Sequence, residues 1–285
     1  MNRRTEILET VKSIPSLPTV ATQLVQVLRD PDLEIGHLVE LIEYDPGLTS
    51  NVLRLANSAY FAVPRTISSL RDALVRLGMN RVFQLVITTA IAPFARRSVK
   101  GYDLGPGQLL EEAVAVAIGA EELAKALEVK PPAHTFTAGL LHDLGKILLG
   151  TFVEADALSI TALAYGEQVS FEVAECRVLG TDHAEVGAAL LEHWNLPGAI
   201  VEAVRWHHQP DAAPGDTLVA DLVHVADNAL TESGVGTGID GLNYRVSPNA
   251  LTRLNVDTED VERVMCTVLT SLEEFRALLG IEREE

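Results

Sequence analysis

The sequence predicts an all-α fold, and three observations carry that reading. Hydrophobic residues make up 47% of the chain but aromatic ones only 5%, so Leu, Val and Ala dominate, which favours helix packing over a β-sandwich. Apolar residues recur at helical spacing in one segment after another, and no convincing strand alternation interrupts them. Capping and helix-breaking residues punctuate those segments. With 285 residues the chain is long enough for one large domain or two modest ones.

The first half reads as a series of helices. Val20, Leu24, Val25 and Leu28 repeat at helical spacing behind Pro18, and Asp30-Pro31-Asp32 breaks the helix. Leu38, Val39, Leu41 and Ile42 form the next stripe. Asp45-Pro46-Gly47 is a start signal, with Asp45 as cap and Pro46 preset for the first helical position. The helix it opens carries Leu48, Val52, Leu53 and Leu55 and ends at Asn57-Ser58-Ala59-Tyr60-Phe61. Ser68 or Ser69 caps a helix of Leu70, Ala73, Leu74 and Leu77 that stops at Gly78. Asn80 opens the next, with Val82, Leu85, Val86 and Ile91 inside. Packing explains all these stripes. His37 reads as part of a solvated face, and neither it nor Asp45 is assigned a site role.

Apolar periodicity lapses over residues 98–103, the candidate boundary between subdomains of residues 1–100 and 101–285. A long helix follows from about Gly107 to Leu127, and Pro131-Pro132 ends the connection to the helix that runs into His142-Asp143. Residues 154–179 hold one or two more helices. Thr181-Asp182-His183 reads as a cap and helix start, and the helix from Pro197 ends at Trp206-His207-His208. Leu218 to Leu230 is an apolar helix containing Asp227. The Gly-rich stretch 231–242 reads as a mobile loop. Ser247-Pro248 and Asp257 introduce two closing helices, and the acidic end, residues 282–285, is expected to fray.

Charge and composition exclude some partners. The net charge of −18 repels phosphate backbones and anionic membrane surfaces, so neither nucleic acid nor lipid is an expected partner. Cys176 and Cys266 lie far apart and suggest no disulfide framework, which fits a reducing cytosol. The start lacks an apolar signal region, and no run of 18 apolar residues occurs. A cytoplasmic protein without a membrane span is expected.

Chemistry concentrates in the second half. His142 and Asp143 stand side by side, and adjacent helical residues point about 100° apart. A positive φ at Gly145 would let both lean on one ion near a helix end. A core histidine beside a capping aspartate is the alternative. His183, His207, His208 and Asp227 lie at helix ends or on apolar helices, and a buried aspartate is costly without a cation or hydrogen-bond partners. Imidazole with carboxylate suits Fe, Mn, Zn or Ni. Such a site would activate water for phosphoester hydrolysis. Trp194 and Trp206 read as core anchors, and His134, His193 and His224 as ordinary histidines.

The segment Gly139-Leu140-Leu141-His142-Asp143-Leu144-Gly145-Lys146 resembles the signature of the HD superfamily of metal-dependent phosphohydrolases. Ile14-Pro15-Ser16-Leu17-Pro18, Asp45-Pro46-Gly47-Leu48, Leu55-Ala56-Asn57-Ser58-Ala59-Tyr60-Phe61 and the stretch from Ile67 to Gly78 resemble the HDOD domain. The resemblance covers about residues 7 to 230. It implies an all-helical regulatory module of bacterial signalling proteins, usually without demonstrated enzymatic activity, with residues 101–285 forming the HD-like part. It aligns Glu112 with an upstream histidine ligand and makes His142, Asp143 and Asp227 the remaining core ligands. His183, His207 and His208 resemble the extra histidines of the HD-GYP branch, but residues 209–215 lack the Gly-Tyr-Pro tripeptide. Lys146 aligns with a lysine that contacts substrate phosphate; a surface lysine is the other reading of it. Partner signalling proteins, or a nucleotide, are the ligands implied. The alternative function is a phosphohydrolase acting on a nucleotide or cyclic nucleotide.

Overall fold

The computed structural model describes residues 2–281 apart from 15, 16, 18, 30–38, 41, 62–64, 129–131, 237 and 242, and apart from the side chains of 24 and 26–29. The expectations for Pro15, Ser16, Pro18, Asp30-Pro31-Asp32, His37, Leu38, Leu41, Pro131 and residues 282–285, and for the Leu24 and Leu28 side chains, therefore lie outside the described residues.

Helices follow one another along the chain, and the all-α expectation is met. They are α1 Arg3–Val11, α2 Thr19–Arg29, α3 Pro46–Ala56, α4 Leu70–Leu77, α5 Met79–Ala95, α6 Gln108–Ala126, α7 Thr135–Leu141, α8 Gly145–Glu167, α9 Phe171–Leu179, α10 His183–His193, α11 Gly198–Trp206, α12 Leu218–Ser233, α13 Pro248–Leu254 and α14 Thr258–Leu279. Among the described residues the nearest thing to a strand is one isolated bridge, Val99 with Leu104.

Local chemistry fixes the helix starts. Asp45 accepts from the Leu48 N–H at 3.0 Å and Ser69 from Asp72 N–H at 3.1 Å. Asp182 accepts from Glu185 N–H at 2.7 Å, and Asp257 forms a capping box with Asp260. Each cap satisfies a backbone donor that the helix leaves open. Helix α5 begins at Met79 rather than Asn80, because Gly78 sits at φ +80 and turns the chain directly into it.

Helix α6 is the hub. It is apolar on nearly every face, with Leu110, Val114, Ala117 and Ile118 fully buried, and it packs against α7, α12 and α14. A helix apolar all round belongs inside, and each fully buried Val, Leu or Ile contributes about 1.5–3 kcal/mol over its exposed state. The N-terminal helices are fastened to this hub through the segment that ends α3. Tyr60 donates its hydroxyl to Glu121 of α6 at 2.7 Å, and Arg81 and Gln84 of α5 donate to the same carboxylate at 2.6 and 2.9 Å. The rings of Tyr60 and Phe61 cluster with Phe136 and Phe275.

Several expectations need correction. The stretch 231–242 is not loop throughout, since α12 continues to Ser233 and Asp240 is only 3% exposed. Tyr102, within the weakly patterned 98–103 segment, is fully buried. Residues 135–167 are apolar enough by length and composition to cross a membrane, although no such stretch was expected. That stretch is broken by a turn at 142–144, and His142, Asp143 and Lys146 are buried within it. Cys176 and Cys266 are exposed free thiols.

Candidate metal centre

The turn between α7 and α8 puts the adjacent His142 and Asp143 at one centre. Leu144 N–H donates to Leu141 O at 3.2 Å and Lys146 N–H to Asp143 O at 3.0 Å, the tighter i to i+3 pattern of a 3₁₀ turn. Gly145 does not have positive φ; it is the first residue of α8. What its missing side chain provides is closeness, because a Cβ there would stand 1.9 Å from the His183 carbonyl oxygen. The start of α8 thereby rests on the start of α10, and Asp143 Oδ1 comes within 3.3 Å of His183 Nε2.

All seven residues singled out as candidate ligands converge. Three overlapping groups have ligand atoms within 4.8 Å of one another: Asp143, His183, His207 and His208; His142, His207 and Asp227; Glu112, His142 and Asp143. His142 Nε2 lies 3.3 Å from Asp143 Oδ2 and 3.6 Å from Asp227 Oδ1, and His207 Nε2 is 3.6 Å from Asp143 Oδ1. His142, His183 and His207 are completely buried.

The far nitrogens of these rings fix the tautomers. His142 Nδ1–H donates to Gly139 O at 2.7 Å and His207 Nδ1–H to Val204 O at 2.7 Å. A carbonyl oxygen only accepts, so each Nδ1 carries hydrogen and a neutral ring turns an Nε2 lone pair inward. His183 Nδ1–H donates in the same way to Glu175 Oε2 at 2.8 Å. This outer support is what metal-binding imidazoles use. His142 Nε2, His207 Nε2, Asp143 Oδ1 and Glu112 Oε2 are buried without a hydrogen-bond partner. Buried polar atoms are normally satisfied, so four orphans spread over these overlapping groups, imidazole nitrogen and carboxylate oxygen together, fit a borderline divalent metal ion.

Burial works against every charge here, and the neighbours decide which survive. It lowers the pKa of His142, but Asp143 and Asp227 carry it well above the ordinary imidazole value. Burial likewise opposes a charged His183, yet Glu175 and then Asp143 raise it to about 10. His207 is lowered by burial, and His208 is held well below the usual value by burial and then by His207 and His183. Burial opposes ionisation of Asp143, which His142 and Lys146 nonetheless hold well below the usual carboxylate range. Burial pushes Glu112 well above that range, and Lys146 offsets this only in part. A metal ion bound here would compete with protons for the same atoms.

Lys146 is not a surface residue: it is 3% exposed. Its ammonium is held by Asp143, by Asp240 Oδ2 at 2.5 Å and by Glu112 Oε1 at 3.6 Å. Reasoning from sequence missed Asp240, Glu175, Tyr102 and Tyr244. Tyr102 donates its hydroxyl to Glu175 at 2.5 Å, and the Tyr244 ring stacks on His208 with centroids 4.8 Å apart. The available signal for Glu175 was an acidic residue on the apolar side of α9; Asp240 had none beyond its glycine-rich surroundings. His224, read as ordinary, donates to His207 O at 2.6 Å and accepts from Ser247 N–H at 2.8 Å, which fixes the backbone of the His207-His208 pair. Trp194 is buried, as a core anchor should be, while Trp206 is partly exposed and donates to Glu202 at 2.9 Å.

A family model described as the HDOD domain matches residues 14–210. A candidate phosphohydrolase from Shewanella amazonensis SB2B is 28% identical, with a TM-score of 0.73 over 96% of this chain and 97% of its own. A candidate signal transduction protein from Marinobacter aquaeolei VT8 is 25% identical, with a TM-score of 0.71 over 95% of this chain and 60% of its own. An uncharacterized protein of Treponema pallidum (strain Nichols) is 28% identical over 209 residues, 73% of this chain but only 40% of the relative's length.

Proposed function

This chain belongs to the HDOD domain family, and on that premise we propose that it is a cytoplasmic signal-transduction module that binds a transition metal and acts through partner proteins rather than by turnover. The observation that carries this reading is the state of Lys146. Its ammonium is enclosed by three carboxylates, and the cavity beside it, lined by Glu112, Asp143, Asp227 and Asp240, amounts to about 10 Å³. That is room for about one water molecule, not for a nucleotide.

His142, His183, His207 and Asp143, with Asp227, Glu112 and His208, would hold Fe, Mn, Zn or Ni. When bound, such an ion supplies Lewis acidity and a positive charge that offsets the buried carboxylates. Glu112 puts a carboxylate where the resemblance expects a neutral imidazole, which adds negative charge and weakens the polarising power of the centre. Glu175, Val204 O and Gly139 O orient the three imidazoles. The candidate ligands are drawn from α6, α10, α12 and the turns after α7 and α11, so occupancy of the centre bears on how these segments pack. The Tyr60, Arg81 and Gln84 contacts to Glu121 on α6 connect the same helix to the N-terminal helices. The free surface thiols suit a reducing compartment.

The second reading is a metal-dependent phosphohydrolase acting on a nucleotide or cyclic nucleotide, favoured by the inward-facing Nε2 atoms of His142 and His207. One experiment separates the two. Metal-loaded protein is incubated with a panel of nucleotides and cyclic nucleotides, alongside affinity capture from a native lysate. The signalling reading expects a captured protein partner and no turnover. Turnover abolished by His142→Ala, without a protein partner, would replace it with the second reading.

A further inference from the structure

Asp240 stands outside the three groups whose atoms are close enough to share an ion. It is nevertheless buried, and its Oδ2 lies 2.5 Å from Lys146 Nζ. The chain is shaped to press it there. Ile239 N–H donates to Tyr102 O at 2.9 Å. A Cβ on Gly238 would stand 2.0 Å from that same oxygen, and one on Gly236 only 2.4 Å from Glu112 Cβ. Two close approaches that only glycine permits precede this aspartate in the chain. The charge count does not require it, because Asp143 and Glu112 already face the ammonium.

The space around the centre is divided. On the inside is the cavity of about 10 Å³. A separate cleft of about 310 Å³ is lined by Gln168, Glu172, His208, Tyr244 and Arg245 among others. His208 and Tyr244 border both, so their stacked rings form a wall between the open cleft and the closed centre. Arg245 is exposed at that cleft. A ligand with negative charge would meet a cation outside and another, Lys146, inside. A carboxylate oxygen and a phosphoryl oxygen make the same kind of charge-assisted bond to an ammonium.

We propose that Asp240 is a tethered competitor for the centre's own ligand: its carboxylate occupies the position on Lys146 that an oxygen of a phosphate-bearing ligand takes, and the turn 238–241 withdraws when that ligand enters from the cleft. This goes beyond the signalling reading above and leaves it standing: the cavity of about 10 Å³ is the resting state, and the phosphate-bearing ligand is an input that binds without turnover. A tethered group acts at an effective concentration of the millimolar order, so weak free anions are excluded and a ligand must bring further contacts to displace it.

The test is calorimetric titration with orthophosphate of the wild type, Asp240→Asn, Asp240→Ala and the double variant Asp240→Asn/Lys146→Gln, with metal content measured for each. The expected result is phosphate binding at least about tenfold tighter in Asp240→Asn than in the wild type, with the gain lost in the double variant. Equal affinity in wild type and Asp240→Asn overturns the proposal, as does a gain that persists without Lys146. Asp240→Asn keeps the shape of the side chain; failure of both single variants to fold would make Asp240 a structural counter-ion and also overturn it. The metal reading fails separately: protein that takes up no metal yet shows the Asp240-dependent gain retains this proposal and loses that reading, while metal uptake without the gain does the reverse.

Discussion

Glu175 holds His183 twice. One carboxylate oxygen accepts both the backbone N–H of His183 at 3.0 Å and its ring Nδ1–H at 2.8 Å, and the other oxygen takes the Tyr102 hydroxyl. Backbone, tautomer and ring direction of a candidate ligand are thus set by a residue eight positions earlier. Removing such support usually weakens metal binding about 10- to 100-fold. Glu175→Gln should therefore lower metal affinity by at least about tenfold without unfolding the chain, measured by competition with a chelator. Unchanged affinity would show that His183 needs no such support.

That dependence also marks what could be read in advance. The helical class was legible because leucine, valine and alanine recur at one period, and because Asp45, Ser69, Asp182 and Asp257 announce helix starts that the structure uses. Six of the residues that meet at the centre were legible as His and Asp at helix ends or on apolar helices, and Glu112 only through the family resemblance. Glu175 offered only its place on the apolar side of a helix and Asp240 no mark beyond its glycine-rich surroundings; the folded partners His183 and Lys146 reveal their burial. Gly145 was misread for a related reason. A glycine that permits a close approach looks the same in sequence as one that permits a positive φ.

Glu112 separates a metal site from a hydrolytic one. Its carboxyl lies beside Lys146 and is pushed by burial well above the usual carboxylate range. With metal bound, when Glu112 would be held as the carboxylate, Glu112→His replaces it with a neutral donor and removes negative charge. The variant should retain metal, and phosphodiester hydrolysis, assayed with a chromogenic ester, should rise above the wild type. Loss of metal in this variant would contradict the assignment of that position.

Glu172, which lines the cleft beside His208 and is not itself a candidate ligand, gives a pH signature of its own. Burial raises its pKa from 4.5 to about 6. The folded state therefore holds this proton more tightly than the unfolded chain. Its contribution is fully favourable below about pH 4.5 and is lost as pH rises through 6, by about 2 kcal/mol at higher pH. Glu172→Gln should stabilise the protein by up to that amount at pH 8 and leave it unchanged near pH 4. Urea denaturation at the two pH values measures the difference, and an equal effect at both would exclude the linkage.

Gly145→Ala should damage fold and site together. Its Cβ would fall 1.9 Å from the His183 carbonyl oxygen and 2.6 Å from Gly187 N, both backbone atoms that cannot rotate away. Forced overpacking of this kind costs about 1–3 kcal/mol or more. Thermal unfolding should show that loss, and metal content should fall with it because α8 and α10 must separate. A stable, metal-replete variant would mean that the contact between these helices does not position Asp143.

The account depends most on whether the buried donors around Asp143 hold an ion. Elemental analysis of protein purified without chelator from metal-replete cells, beside Asp143→Asn prepared identically, measures this directly. The account predicts at least about one Fe, Mn, Zn or Ni per chain, lost in the variant. Wild-type protein that is metal-free as isolated, and that takes up none of these ions when they are supplied, would contradict it.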